Sequence, residues 1–74
     1  MLAKFELYHD GDSWCAKGIG IDIFTHSESL DKLVTNIQEA VEVHFEDEIH
    51  SGEKIKILTL SEFEVSNIVK TTSG

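Results

Sequence analysis

Four carboxylates near the start of the chain are the side chains best suited to metal-dependent chemistry: Asp10, Asp12, Asp22 and Glu28. A two-metal nuclease needs several carboxylates that converge on ions about 4 Å apart. Asp10 and Asp12, however, flank a predicted hairpin turn, where aspartate is common for backbone reasons. Asp22 falls in a predicted strand, and Glu28 precedes a predicted helix, where its charge favours the helix dipole. We therefore predict a non-enzymatic protein with no catalytic residues, no metal site and no cofactor.

The single cysteine and the four histidines suggest two further kinds of site. Cys15 could act as a nucleophile if His9, across the predicted hairpin, activated it, but a cysteine in a strand is usually a small apolar residue. No histidine pair has the i, i+4 spacing of a zinc-protease helix. His44 and His50 are the remaining candidates for a metal, and we expect both to be solvated or at the edge of the core.

Charge narrows the class of partner. Fourteen acidic residues against six lysines give a net charge of -8, and arginine is absent. Nucleic-acid binding depends on basic patches and bidentate arginine contacts, so we expect no direct binding to DNA or RNA. An acidic surface suits a basic protein partner, although acidity also aids solubility.

Length and cysteine content set the other limits. A chain of 74 residues predicts a single domain whose small core is marginal alone. One cysteine excludes a disulfide framework and fits a reducing compartment. No apolar run approaches the ~20 residues of a membrane span, and residues 1–6 lack the pattern of a signal peptide. We expect a cytoplasmic protein that gains stability as a homo-oligomer.

The elements that would position these side chains follow from periodicity. Alternation predicts strands at residues 3–9 and 13–17, joined by an Asp-Gly turn, and further strands at residues 21–25 and 54–60. Gly18 and Gly20 indicate a bend where two backbones come close. The order β-β-β-α-β predicts an α+β fold, with one helix packed on one face of a small antiparallel sheet.

The clearest signal is an amphipathic helix of roughly residues 30–46. Ser29 is its expected N-cap. The acidic residues 46–48 oppose the dipole at the other end, which predicts fraying of the last turn. Apolar residues recur at helical spacing along one face: Leu30, Leu33, Val34, Ile37, Ala40, Val41 and Phe45.

The sheet face opposite the helix is predicted to form an oligomer interface through large apolar groups. Lys54 and Lys56 on the fourth strand would protect a sheet edge. Residues 61–70 fit a helix, through a capping-box sequence at residues 61–64, or an extended strand, which we favour; residues 71–74 should be disordered. The expected interface residues are Tyr8, Cys15, Phe24 and Leu58.

Several of these features recur in a fixed order over residues 3–48. They are the turn at residues 10–12, Trp14, the bent segment 18–20, Thr25, the helix start at residues 29–33, Asn36 and the pair Glu39-Ala40. This ordered combination resembles the HicB-like antitoxin family. The resemblance implies a partly RNase H-like β-β-β-α-β fold. It also implies inhibition of a small basic toxin, a protein with a double-stranded-RNA-binding fold that cleaves mRNA.

The chain departs from that family pattern in two respects. Family members usually carry a C-terminal DNA-binding domain, which this sequence does not contain, so control of an operator is not expected. Proline is absent, and Ser27 stands where glycine is frequent. The leading interpretation is a toxin-binding module, and the alternative is an orphan homo-oligomeric interaction domain without a toxin partner. The acidic residues expected to meet the partner are Asp22, Glu28, Glu42, Glu46 and Asp47.

Overall fold

Four strands and two helices form the part of the chain that the computed structural model describes, residues 1–62 and residue 65. This is the predicted α+β fold, in which one main helix packs against a sheet. Predictions for residues 61–74 lie outside the described residues, apart from residues 61, 62 and 65. The elements are β1 (Leu2–His9), β2 (Trp14–Gly18), β3 (Phe24–Ser27), α1 (Leu30–His44), α2 (Glu46–His50) and β4 (Lys56–Ser61).

The sheet has the strand order β3-β2-β1-β4 and is mixed rather than purely antiparallel. β1 pairs antiparallel with β2, and β2 pairs antiparallel with β3. β4 lies parallel to β1, with Leu2 opposite Lys56 and Leu7 opposite Ser61. The parallel pairing arises because the chain crosses over through both helices before β4, and a parallel neighbour requires such a crossover.

The core lies between α1 and one face of the sheet. Every second residue of β1 is buried there, namely Ala3, Phe5 and Leu7, as the alternation predicts. From the helix side, Leu33, Ile37 and Val41 pack against them at helical spacing. Ala16 completes the buried cluster, and Trp14, Ile21, Ile23, Phe45, Ile55 and Ile57 pack around it.

The connection from β2 to β3 corrects one sequence prediction. The third strand begins at Phe24 rather than at Ile21, so Asp22 lies in a loop and not in a strand. The loop folds back on Gly18, whose N–H donates to the Ile23 carbonyl at 2.8 Å. A Cβ at Gly18 would lie 2.5 Å from the carbonyl oxygen of Ile21, which explains the glycine and confirms the predicted close approach of backbones.

The helical segment begins as predicted and ends differently. Ser29 caps α1, since its hydroxyl accepts from the N–H of Lys32 at 3.2 Å. α1 ends at His44, and Phe45 separates it from the short helix α2. The acidic residues 46–48 therefore do not fray the end of one long helix. They occupy the first turn of α2, where negative charge is favourable.

Candidate protein-interaction surfaces

The carboxylates considered for a nuclease do not converge. The Asp10 carboxylate accepts from the backbone N–H groups of Ser13 and Asp12, each at 2.9 Å, and these bonds lower its pKa. Asp22 lies in the loop before β3, and Glu28 follows the other end of that strand. Within residues 1–62 and 65, no group of three or more histidine, cysteine, aspartate or glutamate side chains could hold a metal ion.

Cys15 and His9 lie on opposite faces of the β1–β2 hairpin. His9 pairs with Trp14 in the register, and the two rings meet edge to face at 5.0 Å. Cys15 is buried on the other face, where its thiol donates to the Asp10 carboxylate at 3.7 Å. The hairpin therefore does not bring His9 to Cys15 as a base.

Partial burial raises the pKa of the neighbouring Tyr8 hydroxyl, and Cys15 adds to this shift.

A shallow groove of about 570 Å³ lies between β3 and the second half of α1. Asp22 reaches it from the loop before β3, and Glu39 and Val43 reach it from α1. A neighbouring groove of about 320 Å³ shares Val43 and adds Glu42 and Glu46. We call this combined surface the acidic groove. Its carboxylates are Asp22, Glu39, Glu42 and Glu46, and its lining also includes Val43, Phe24, Ile49, His44 and His50.

Val43 is the most exposed apolar residue of the acidic groove and the one residue that both parts share. Val43 is 76% exposed, which is more than any residue on the buried face of α1. Acidic residues lie on both sides of it in the groove. No lysine lines either part of the groove. In the described residues the one ion pair joins the N-terminal amine to Glu53 at 4.0 Å. Lys54 lies with Glu42 in an adjoining groove.

The predicted partner-binding residues lie partly inside and partly outside the acidic groove. Asp22, Glu42 and Glu46 line the acidic groove. Glu28 lies in the turn before α1, and Asp47 lies on α2; neither lines the groove. Sequence reasoning missed Val43 because it falls outside the helix stripe. Its position between Glu39 and Glu46, four residues before and three after, was the available signal.

The sheet face away from α1, which we call the open face, carries all four predicted interface residues. Cys15 is fully covered there, whereas Tyr8, Phe24 and Leu58 are exposed. Phe24 and Leu58 lie on the two edge strands, and charged residues separate them. Glu6 faces Lys17 across the β1–β2 pair, and Lys4 faces Leu58. The open face is therefore apolar at its edges rather than continuously.

Comparison of the chain with family models, curated proteins and solved structures gives no match. In the part of the chain that the structure describes, no helix is both long and apolar enough to cross a membrane.

Proposed function

We propose that the chain is a non-enzymatic, cytoplasmic protein-binding module. In this proposal it acts like a HicB-like antitoxin and inhibits a small basic mRNA-cleaving toxin. The acidic groove is the observation that carries the proposal. It presents an exposed valine among four carboxylates, without a lysine in its lining. Inhibition would be steric and electrostatic, by covering the RNA-binding surface of the partner.

The chemistry of the acidic groove fits a basic protein better than it fits a small ligand. Interface centres bury a few apolar side chains, and a charged rim steers the partner and selects it. Val43 supplies the apolar contact, and Asp22, Glu39, Glu42 and Glu46 supply the rim. The order of elements gives further support, because three strands precede the main helix and one strand follows it, as the resemblance implies.

The deciding experiment combines the chain with the purified product of the neighbouring gene. We expect a complex by isothermal titration calorimetry and loss of the partner's mRNA cleavage. Val43→Asp and the double variant Asp22→Lys, Glu39→Lys should each weaken binding at least tenfold, because they remove the apolar contact or reverse the rim charge.

Asp12→Lys is the matched control, since Asp12 is an exposed acidic residue at the hairpin tip away from the groove. It should bind like the unaltered chain. A neighbour that is not a small basic protein, or one that binds all three variants equally well, would overturn the proposal.

The alternative function is an interaction domain whose partner is a second copy of itself. The exposed apolar residues at the edges of the open face favour it. This alternative predicts self-association of the chain and no binding to the neighbouring gene product.

A further inference from the structure

Among the described residues, 1–62 and 65, strand β4 forms one edge of the sheet. The N–H of Lys56 donates to the Met1 carbonyl at 2.8 Å, so the backbone polar groups of Lys56 point towards β1. Successive strand residues direct these groups to alternate sides, so those of Leu58 and Leu60 also point to β1. The N–H and C=O groups of Ile57, Thr59 and Ser61 point away from the sheet. Among residues 1–62 and 65, none of these outward groups has a hydrogen-bond partner.

The side chains beside this open edge are mostly apolar. Leu58 and Leu60 are 42% and 47% exposed on the open face, and Lys56 is the only charged residue within β4. The helix α1 makes its closest approach to β2 and β3 and reaches β4 on the core face, at Ile57. A long, exposed and apolar strand edge is a template for pairing with another strand.

The other edge of the sheet is less suited to pairing. β3 has four residues against six in β4. The side-chain amide of Asn36 in α1 donates to the His26 carbonyl of β3 at 3.2 Å. Shortness and coverage are two means by which proteins block an edge strand. A partner strand is therefore better placed at β4.

We propose that β4 pairs antiparallel with β4 of a second copy, about a two-fold axis at Thr59. The outward polar groups of Thr59 would exchange two hydrogen bonds with those of Thr59 in the other copy. Ile57 would pair in the same way with Ser61 of the other copy, and Ser61 with Ile57. All outward groups of the strand would then be satisfied, and two four-stranded sheets would become one sheet of eight strands.

Side-chain chemistry selects this register over its neighbours. With the axis at Thr59, Leu58 faces Leu60 of the second copy, and Lys56 faces its Glu62. The two-fold axis repeats both pairs, which gives two apolar pairs and two ion pairs on the open face. An axis at Leu58 would set Lys56 against Leu60 and would leave Glu62 opposite Lys54, which lies outside β4, and an axis at Leu60 would set Glu62 against Leu58. A register shift by one residue would exchange the faces, so the axis can move only by whole residues, each of which changes the register by two.

The second copy thus presents a strand that carries a cation, two leucines and an anion in the opposite direction, so that each side chain faces its complement. This dimer does not rest on the proposed toxin-binding role, because the acidic groove is built from α1, α2 and the β3 side of the sheet. Failure of either proposal would leave the other in place.

Charge reversal at the predicted ion pair tests the register. Sedimentation velocity over a concentration series should show the unaltered chain as a dimer. Lys56→Glu and Glu62→Lys should each sediment as monomers, because each sets like charges against one another. An equimolar mixture of the two variants should form a heterodimer, because position 56 of each copy then faces the opposite charge at position 62 of the other.

Controls separate edge pairing from general effects of charge and folding. Lys32→Glu on α1 and Asp12→Lys at the hairpin make the same charge changes away from β4 and should remain dimeric. Thr59→Pro removes an outward N–H without touching the hydrogen bonds to β1, so it should be monomeric with an unchanged circular dichroism spectrum. Leu58→Pro would break the β1 pairing and should unfold the chain, which confirms the assignment of the two sides.

Three results would overturn the proposal. The first is a monomer at every concentration. The second is a dimer that survives both single charge reversals. The third is a dimer that is insensitive to Thr59→Pro but is lost in Phe24→Ser, which would locate the contact on the β3 side of the open face.

Discussion

Asp10 organises the β1–β2 hairpin through hydrogen bonds rather than through chemistry at a reactive centre. Its carboxylate bonds two successive backbone N–H groups and also accepts from the Cys15 thiol. Gly11, with φ of +102°, provides the backbone conformation that an Asp-Gly turn requires. Asp10, one of the residues that first suggest a metal site, thus explains how the hairpin turns.

Asp10→Ala should lower the free energy of unfolding at neutral pH, because two turn N–H groups lose their acceptor. The folded-state pKa of Asp10 is lower than its ordinary value of 3.8, so the ionised form stabilises the fold. That contribution is fully present above pH 3.8 and is lost as the pH falls through the lower folded-state value. Urea unfolding of both proteins at several pH values should therefore show a difference that shrinks in acid.

Asp12→Ala is the control for this prediction, since the Asp12 side chain accepts none of the hairpin hydrogen bonds found in the described residues. Its stability should follow that of the unaltered chain across the same pH range. A difference between Asp10→Ala and the unaltered chain that stays constant into strong acid would show that the carboxylate charge contributes nothing.

At the scale of the element, α1 is stabilised chiefly by one buried line of side chains. Ile37→Val should lower the free energy of unfolding by about 1 kcal/mol, because it removes one methyl group from a site that is 1% exposed. Val34→Ala should change it by less than about 0.5 kcal/mol, because Val34 is 43% exposed at the margin of the stripe. Urea unfolding at one fixed protein concentration would compare the two.

Equal costs for these two substitutions would contradict the burial that the structure assigns to the stripe. The fixed concentration matters because a dimer stabilises its folded state by mass action. Repeating the comparison in the Thr59→Pro chain would remove that dependence and isolate packing within one copy.

Local patterns predict the elements well where one interaction decides the outcome. The alternation in β1 gives its buried face, and Ser29 gives the start of α1. The break at Phe45 was not predictable from the stripe, because Phe45 continues the helical spacing and still packs against the core. The direction of β4 was also hidden, because alternation has the same appearance in parallel and antiparallel strands.

The interaction surfaces depend on long-range placement, so the sequence predicts them only in part. Asp22 meets α1 because the loop folds back over Gly18, and no local pattern contains that contact. The mirrored order of Lys56, Leu58, Leu60 and Glu62 is visible in the sequence. This order indicates a pairing surface only once the structure shows that β4 is an edge strand in which the backbone polar groups of alternate residues point outward.

For the whole molecule, the two proposed surfaces are formed by different elements. The part of the acidic groove that contains Asp22 lies on the β3 side, the other part lies on α1 and α2, and the pairing edge is β4, the strand at the other end of the sheet order. A dimer joined at β4 would carry one acidic groove towards each outer end. Neither surface would cover the other, so partner binding and self-association should be independent.

This arrangement predicts a complex of two chains with two basic partners. Native mass spectrometry should show that stoichiometry for the unaltered chain, and one chain with one partner for Thr59→Pro. Val43→Asp should remain a dimer and lose the partner, because its change lies only in the groove. A folded Thr59→Pro monomer that no longer binds the partner would contradict the independence, because it would mean that each partner contacts both copies.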